Sequence, residues 1–247
     1  MATARKTKPR KGAKKKPAES TLRFRPFAWV IRWTLRFAVI CVAVLVMVVV
    51  AQRWIDPPQT YYMNQEERRL RGIDYQWIPL DEVAPVVARS VVAAEDANFC
   101  QHWGFDMRAI RAALEEGSGR GASTLSQQVV KNVYLWHGRS WARKALEAVI
   151  TPVVEMIWPK RRIIEVYLNV AEFDEGVFGI DAAAHHYFGV APSQLSAIQA
   201  ARLAMVLPNP KGRSASKPTS AQRKRTAQIR DGAATIRLDG RANCFED

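Results

Sequence analysis

Two glutamates, Glu95 and Glu147, stand in sequence environments that suit opposite chemical tasks. Glu95 follows the apolar run SVVAA and precedes Asp96. Desolvation and a neighbouring negative charge both raise a carboxylate's proton affinity, as a general base at neutral pH requires. Glu147 has Arg143 four and Lys144 three residues before it on one helical face, so it is predicted to stay ionised and to orient cations. Lys131, Arg139, Arg143 and Lys144 supply positive charge of the kind that receives an anionic leaving group, and backbone N–H groups at a helix start after Gly121 add to it. Ser123, Thr124, Gln127 and Gln128 offer hydroxyl and amide groups suited to sugars and phosphates. The set suits a group transfer in which a base activates a hydroxyl while cations hold a departing anion.

Taken singly, each feature has an ordinary reading. A Glu-Asp pair after an apolar helix is more often a solvated helix end, and Arg143 with Glu147 is more often a surface pair worth roughly 0.3–0.5 kcal/mol. His102 is expected to pack or cap, and His185-His186 lacks companion metal ligands. The glycine-rich turn at 117–121 has no strand before it and no Walker lysine after it, so it reads as a connector. The density of these features between Glu95 and Glu147 lifts the set above its parts.

From Pro85 onward the apolar residues recur at three and four, with turns near Gly104, Gly117 to Gly121 and Gly138, and no run alternates for long. The spacing predicts a mainly α domain over 85–210. Ser123, Ser140 and Ser193 are the expected N-caps, and Pro152 is expected to kink or split its helix. Residues 55–84 mix turn residues with aromatics and read as a linker, and 211–247 as a basic C-terminal segment containing a possible last helix, SAQRKRTAQIRDGAATIRL.

The net charge of +14 is concentrated at the ends. Residues 1–26 carry ten Lys/Arg against Glu19 alone, residues 211–247 carry nine against four acids, and the stretch between them balances at 18 of each sign. A nucleic-acid reader would carry its basic surface on the folded part, so that class is set aside. The basic tail reads as disordered. Behind it, Phe37 to Ala51 is uncharged; 15 helical residues reach about 22 Å against a hydrocarbon core of roughly 30 Å. Arg32 and Arg36 can snorkel, and Trp29, Trp33 and Trp54 suit the interfaces, so 27–54 reads as one tilted transmembrane helix. The Lys/Arg excess before it predicts a cytoplasmic N-terminus and a domain on the other side. The three cysteines form no CxxC pair and, with Cys41 in the apolar run, allow at most one bridge.

Several ordered motifs over roughly 85–210 resemble the family 51 glycosyltransferases, which polymerise lipid-linked disaccharide into peptidoglycan. Glu95, Asp96, Phe99, His102 and Gly104 match the first motif, in which the glutamate resembles the base that activates the acceptor 4-hydroxyl. Gly121, Ser123, Thr124, Gln127, Gln128, Lys131 and Asn132 match the second, a substrate-binding turn and helix, with Ser126 where many relatives have Thr. Arg143, Lys144 and Glu147 match the third, beside the donor diphosphate, and Lys160, Ile164, Glu165, Tyr167, Leu168 and Asn169 match the fourth. Arg202 to Leu207 fits the fifth only in part, with Ala201 where a second Arg is common.

The resemblance implies a lysozyme-like α fold behind a single transmembrane helix and an inner-membrane enzyme with a periplasmic domain. Its implied substrates are lipid II and a lipid-linked glycan chain, with Asp96 and Asn132 among the binding residues. It also implies a divalent cation such as Mg²⁺ shared with the diphosphate, and other cell-wall synthases or divisome proteins as partners. A lysozyme-like hydrolase using the same two carboxylates, or a non-catalytic membrane-anchored scaffold, are the competing expectations.

Overall fold

A computed structural model describes residue 12 and residues 26–115, 123–138 and 140–246. The tail read as disordered, the glycine-rich turn at 117–121 and Arg139 lie outside the described residues, apart from Gly12 and Pro26. The chain divides into two units, one ending at Ala43 and the other running from Val44 to Asp247.

The helix α1 (Pro26–Ala51) spans the predicted apolar run, and its stretch Trp29–Ala51 is long and apolar enough to cross a membrane. Its one hydroxyl, Thr34, is satisfied by the Val30 carbonyl at 3.0 Å, so that group presents no unpaired donor to lipid.

The second unit is mainly helical. Its elements are α2 (Tyr61–Leu70), β1 (Asp74–Tyr75), α3 (Pro85–Glu95), α4 (Met107–Glu115), α5 (Leu125–Tyr134), α6 (Trp141–Ile157), α7 (Lys160–Val170), β2 (Glu172–Asp174), β3 (Val177–Phe178), α8 (Gly179–Phe188), α9 (Ala197–Val206), α10 (Ser220–Leu238) and α11 (Asn243–Glu246). The short strands form a sheet in the order β1-β3-β2, with β1 parallel and β2 antiparallel to β3. Strands of two or three residues are too brief to show alternation, which is why periodicity passed over them.

Two helical layers carry the core. In one, α3, α9 and α10 pack together through Val87, Val91 and Val92, Leu203, and Ile229, Ala233 and Ile236. In the other, α5 lies against α6 and α7 through Leu125, Val129 and Val130, Ile150 and Val154, and Ile164 and Leu168. The domain is therefore wider than 85–210. Helix α10 matches the predicted last helix, but its buried Ile229, Ala233 and Ile236 make it part of the core rather than a trailing segment. The stretch read as a linker likewise contributes buried Met63, Ile78, Leu80 and Val83. Asn169 pins that stretch in both directions, accepting from the Ile78 N–H and donating to the Ile78 carbonyl, each at 2.9 Å.

Capping departs from expectation by a residue or three. Ser140 does cap α6, but α5 is capped by Thr124 instead of Ser123 and α9 by Ser196 instead of Ser193. In each case the capping side chain accepts from the N–H three residues on, and for Thr124 and Ser196 the third helical residue is a glutamine that returns the bond, a reciprocity Ser123 and Ser193 could not have. Pro152 does not split α6, which runs unbroken from Trp141 to Ile157 because α5 packs along it and only one internal bond is lost. Cys100 and Cys244 form the one bridge the cysteine count allowed, with Cα atoms 5.7 Å apart, and Cys41 is free and exposed.

Candidate active site

The base candidate sits where a helix stops. Asp96 is the C-cap of α3 with a non-helical backbone (φ −158°, ψ 69°), so Glu95 is the last helical residue, set at the rim of the apolar face formed by Val91 and Val92. Glu95 Oε2 accepts from Gln128 Nε2 at 2.9 Å, and the Gln128 carbonyl oxygen accepts from the Tyr167 hydroxyl at 3.3 Å. Tyr167 is fully buried, which pushes its phenol well above its usual range and keeps it a donor, so the amide is held with its N–H toward the acid. Burial raises the Glu95 carboxyl above its ordinary value, with the Gln128 bond and the positive potential of Arg225, Lys131 and Arg213 opposing the rise. Asp96, expected to add to this rise, directs its side chain to His102 and the Leu125 N–H.

The second glutamate lies at the start of α6. Ser140 caps that helix, and the first turn carries Arg143 and Lys144 onto the face of Glu147. Glu147 is 2 % exposed; one oxygen accepts from Arg143 Nη1 at 2.9 Å and the other from Lys144 Nζ. Lys144 also donates to Ser123 Oγ at 3.1 Å, tying the residue before the α5 cap to the same cluster. Arg143 is braced through its Nε to the Gly138 carbonyl at 3.0 Å.

Lys131 joins the two halves electrostatically. It lies one turn beyond Gln128 on α5, and burial lowers its pKa from the ordinary 10.5 while Glu147 and Glu95 oppose the fall and Arg143 and Lys144 reinforce it. A desolvated ammonium that feels both acids and both neighbouring cations has little compensating charge of its own, which equips it to receive an incoming anion. Gln128, Lys131 and Asn132 line a cavity of about 240 Å³ with Tyr167, Tyr62 and His137. Glu95 and Glu147 do not form its wall, but Gln128, which donates to Glu95, and Lys131, which feels both acids, do. His137 stacks on Tyr62 at 3.8 Å between ring centres, and burial beside Lys131 and Arg143 pushes it down to about 4, so it is neutral at pH 7.

Three residues expected to bind substrate also make bonds that hold the fold. Asp96 has both oxygens occupied, by His102 Nε2 at 2.8 Å and the Leu125 N–H at 3.0 Å. Thr124 caps α5 and donates to the Gly104 carbonyl at 2.7 Å, and Gln127 closes the capping box with its Oε1 on the Thr124 N–H at 3.1 Å. These are the bonds a buried polar side chain requires, and they occupy both Asp96 oxygens, the Thr124 hydroxyl and the Gln127 amide oxygen. His102 packs edge-on against Phe99, as expected of it. Ser123, Gln128, Lys131, Asn132, Arg143 and Lys144 are gathered around the acids or the cavity, while Arg139 lies outside the described residues.

Other residues enter that sequence reasoning did not select as site residues. Tyr167 orients Gln128, and Arg213 and Arg225 set the potential at Glu95 from the basic C-terminal segment. Tyr62, in the stretch read as linker, shapes the cavity. No spacing in the chain ties these positions to Glu95. The one available signal was the place of Tyr167 in the fourth matched motif.

Comparison with known proteins identifies the family. The family model described as transglycosylase matches residues 63–233, a span that includes most of α2 and most of α10. A biosynthetic peptidoglycan transglycosylase of Jannaschia sp. (strain CCS1) is 59 % identical over 87 % of this chain and 90 % of its own length. Proteins of the same description from Caulobacter vibrioides and Pseudomonas fluorescens (strain SBW25) are 44 % and 48 % identical, over 83 % and 89 % of this chain and 91 % and 92 % of theirs. With more than half its length inside the matched model and relatives this similar end to end, the chain belongs to the transglycosylase family.

Proposed function

We propose that this transglycosylase extends peptidoglycan glycan strands, transferring a lipid-linked growing chain onto the GlcNAc 4-hydroxyl of lipid II with inversion and release of undecaprenyl diphosphate. The reading rests on the contrast between the two glutamates, one desolvated and facing a neutral amide, the other clamped by two cations. Glu95 takes the proton of the acceptor hydroxyl as its oxygen attacks the donor anomeric carbon. The bond from that carbon to the diphosphate breaks on the opposite face, so an α-linked donor becomes a β-1,4 product. The diphosphate departs toward Lys131, Arg143 and Lys144, and Glu147 holds the last two in place.

A divalent cation belongs to the diphosphate in this reading and not to the protein. Among the described residues no group of three or more His, Cys, Asp or Glu side chains is placed to hold a metal, and both oxygens of Glu147 already accept from cations.

The span in α1 and the ten Lys/Arg that precede it support an inner-membrane anchor with the N-terminus in the cytoplasm and the domain in the periplasm. Other cell-wall synthases or divisome proteins in the same membrane are its working partners in this reading.

Full-length protein in detergent, supplied with fluorescent lipid II, is expected to yield a ladder of polymer on a gel, and moenomycin, an inhibitor of the family, to abolish it. Shortening of purified glycan in the absence of lipid II would establish the hydrolase instead. Unaltered cell-wall synthesis by the Glu95 and Glu147 variants would establish the scaffold.

A further inference from the structure

The segment that follows the base has almost no secondary structure of its own. Between Glu95 and α4 it contains one three-residue 3-10 turn, Phe99–Gln101, so its position depends on what it docks against. On the inner side it is held by Asp96 on the Leu125 N–H, by Lys160 Nζ on the His102 carbonyl at 2.9 Å, and by Thr124 on the Gly104 carbonyl. On the outer side it is held by the C-terminal end of the chain. Arg241 Nη1 donates to the Ala97 carbonyl at 3.0 Å, Phe245 packs against Phe99 with ring centres 6.3 Å apart, and Cys244 is bonded to Cys100.

That outer dock is small. Helix α11 is four residues long and buries only Phe245. Arg161 on the Phe245 carbonyl at 3.1 Å and Arg89 with Glu246 at 3.3 Å also hold it, and it packs against α7. A four-residue helix cannot persist alone, so its attachment rests on these contacts and on the covalent bond. The bond closes a loop across 144 residues, long enough for the link to restrict the open chain strongly. Both cysteines are partly exposed, and Cys100 borders an open cavity of about 470 Å³ with His102, Trp103 and Lys160, so a reagent can reach the bridge.

We propose that Cys100–Cys244 is a redox-controlled clasp that governs catalysis by holding the segment directly after Glu95. This rests on the polymerase reading and on a domain facing an oxidising compartment. Closure proceeds by exchange with a protein disulfide. One cysteine thiolate attacks that disulfide and releases one thiolate, and the second cysteine then attacks the mixed disulfide and releases the other. The two electrons and two protons end on the oxidant, now a dithiol. Opening is the reverse exchange with a reducing dithiol. With the clasp open, α11 and Arg241 lose their anchor, the turn at 96–104 loosens, and Glu95 loses its alignment with Gln128.

The test uses full-length protein purified in detergent without reductant. Alkylation after denaturation should find one thiol, Cys41, and three after reduction. Reduction followed by thiol trapping should lower the initial rate of lipid II polymerisation about threefold or more, since small displacements of a catalytic group are costly. It should also speed hydrogen exchange at the amides of residues 96–104 and lower Tm by about 5 °C or more. The double variant Cys100→Ser/Cys244→Ser should be slow with or without reductant. If that variant does not fold, reduction of the parent protein decides the matter. Three thiols before reduction, or equal rates with the bridge closed and open, would overturn the proposal. If no polymer forms in either state, the polymerase reading fails, and unchanged exchange at 96–104 on reduction would overturn the clasp separately.

Discussion

Asp96 Oδ2 accepts the backbone N–H of Leu125 across 3.0 Å, joining the residue beside the base to the first turn of the helix that carries Gln128 and Lys131. One carboxylate thereby sets the distance between the acid on α3 and the polar face of α5. Its other oxygen faces His102, whose carbonyl is held by Lys160, so the whole first motif wraps the start of α5.

Asp96→Ala should therefore act on the fold as well as on turnover. It leaves a buried N–H and a buried imidazole without their partner, at a cost of about 2–4 kcal/mol. Chemical denaturation measures this, and a change under about 0.5 kcal/mol would show that Asp96 does not hold the helix start.

Glu95→Gln should separate the two effects. Loss of a general base is expected to reduce polymerisation by about 100-fold or more. The fold should persist, with stability equal to or up to about 1 kcal/mol above the parent, because a desolvated carboxylate is replaced by a neutral amide. Lipid II turnover and thermal unfolding on the same preparation check both halves, and normal turnover would remove the base assignment.

The pH dependence of polymerisation should be a bell narrowed from both sides. Glu95 must be ionised to accept a proton, and burial lifts its pKa above the ordinary 4.5, so the acid limb lies higher than for an exposed glutamate. Lys131 must be charged to receive the diphosphate, and burial lowers its pKa below 10.5, so the alkaline limb begins earlier than for an exposed lysine. Lys131→Arg, which stays charged, should move the alkaline limb upward and leave the acid limb in place. Rates measured across pH with both proteins decide it, and an unmoved alkaline limb would assign that limb to another group.

Gly104→Ala should be costly although the position is distant from any proton transfer. Gly104 has φ +82°, and a Cβ there would lie 2.6 Å from Thr151 Cγ2 and 3.1 Å from Glu155 Cγ on α6. Backbone strain and overlap together should destabilise by about 2–4 kcal/mol, with turnover falling because the Gly104 carbonyl also receives the Thr124 hydroxyl. A denaturation midpoint matching that of the parent would show that the turn can shift to make room.

The sequence by itself determined the helical class, the apolar span of α1, and the residues around the two glutamates, because periodicity and i,i+4 charge pairs are local properties of a chain. Arg143, Lys144 and Glu147 meet on one helix face, so their spacing alone placed them together. Only the tertiary structure decided that Asp96, Thr124 and Gln127 serve the fold, since a polar side chain near a catalytic acid looks the same in sequence whether its partner is a backbone N–H or a sugar. It alone brought Tyr167, Arg213 and Arg225 to bear on Glu95 and closed Cys100 onto Cys244, because each of those relationships joins positions separated by long stretches of chain, where spacing carries no information.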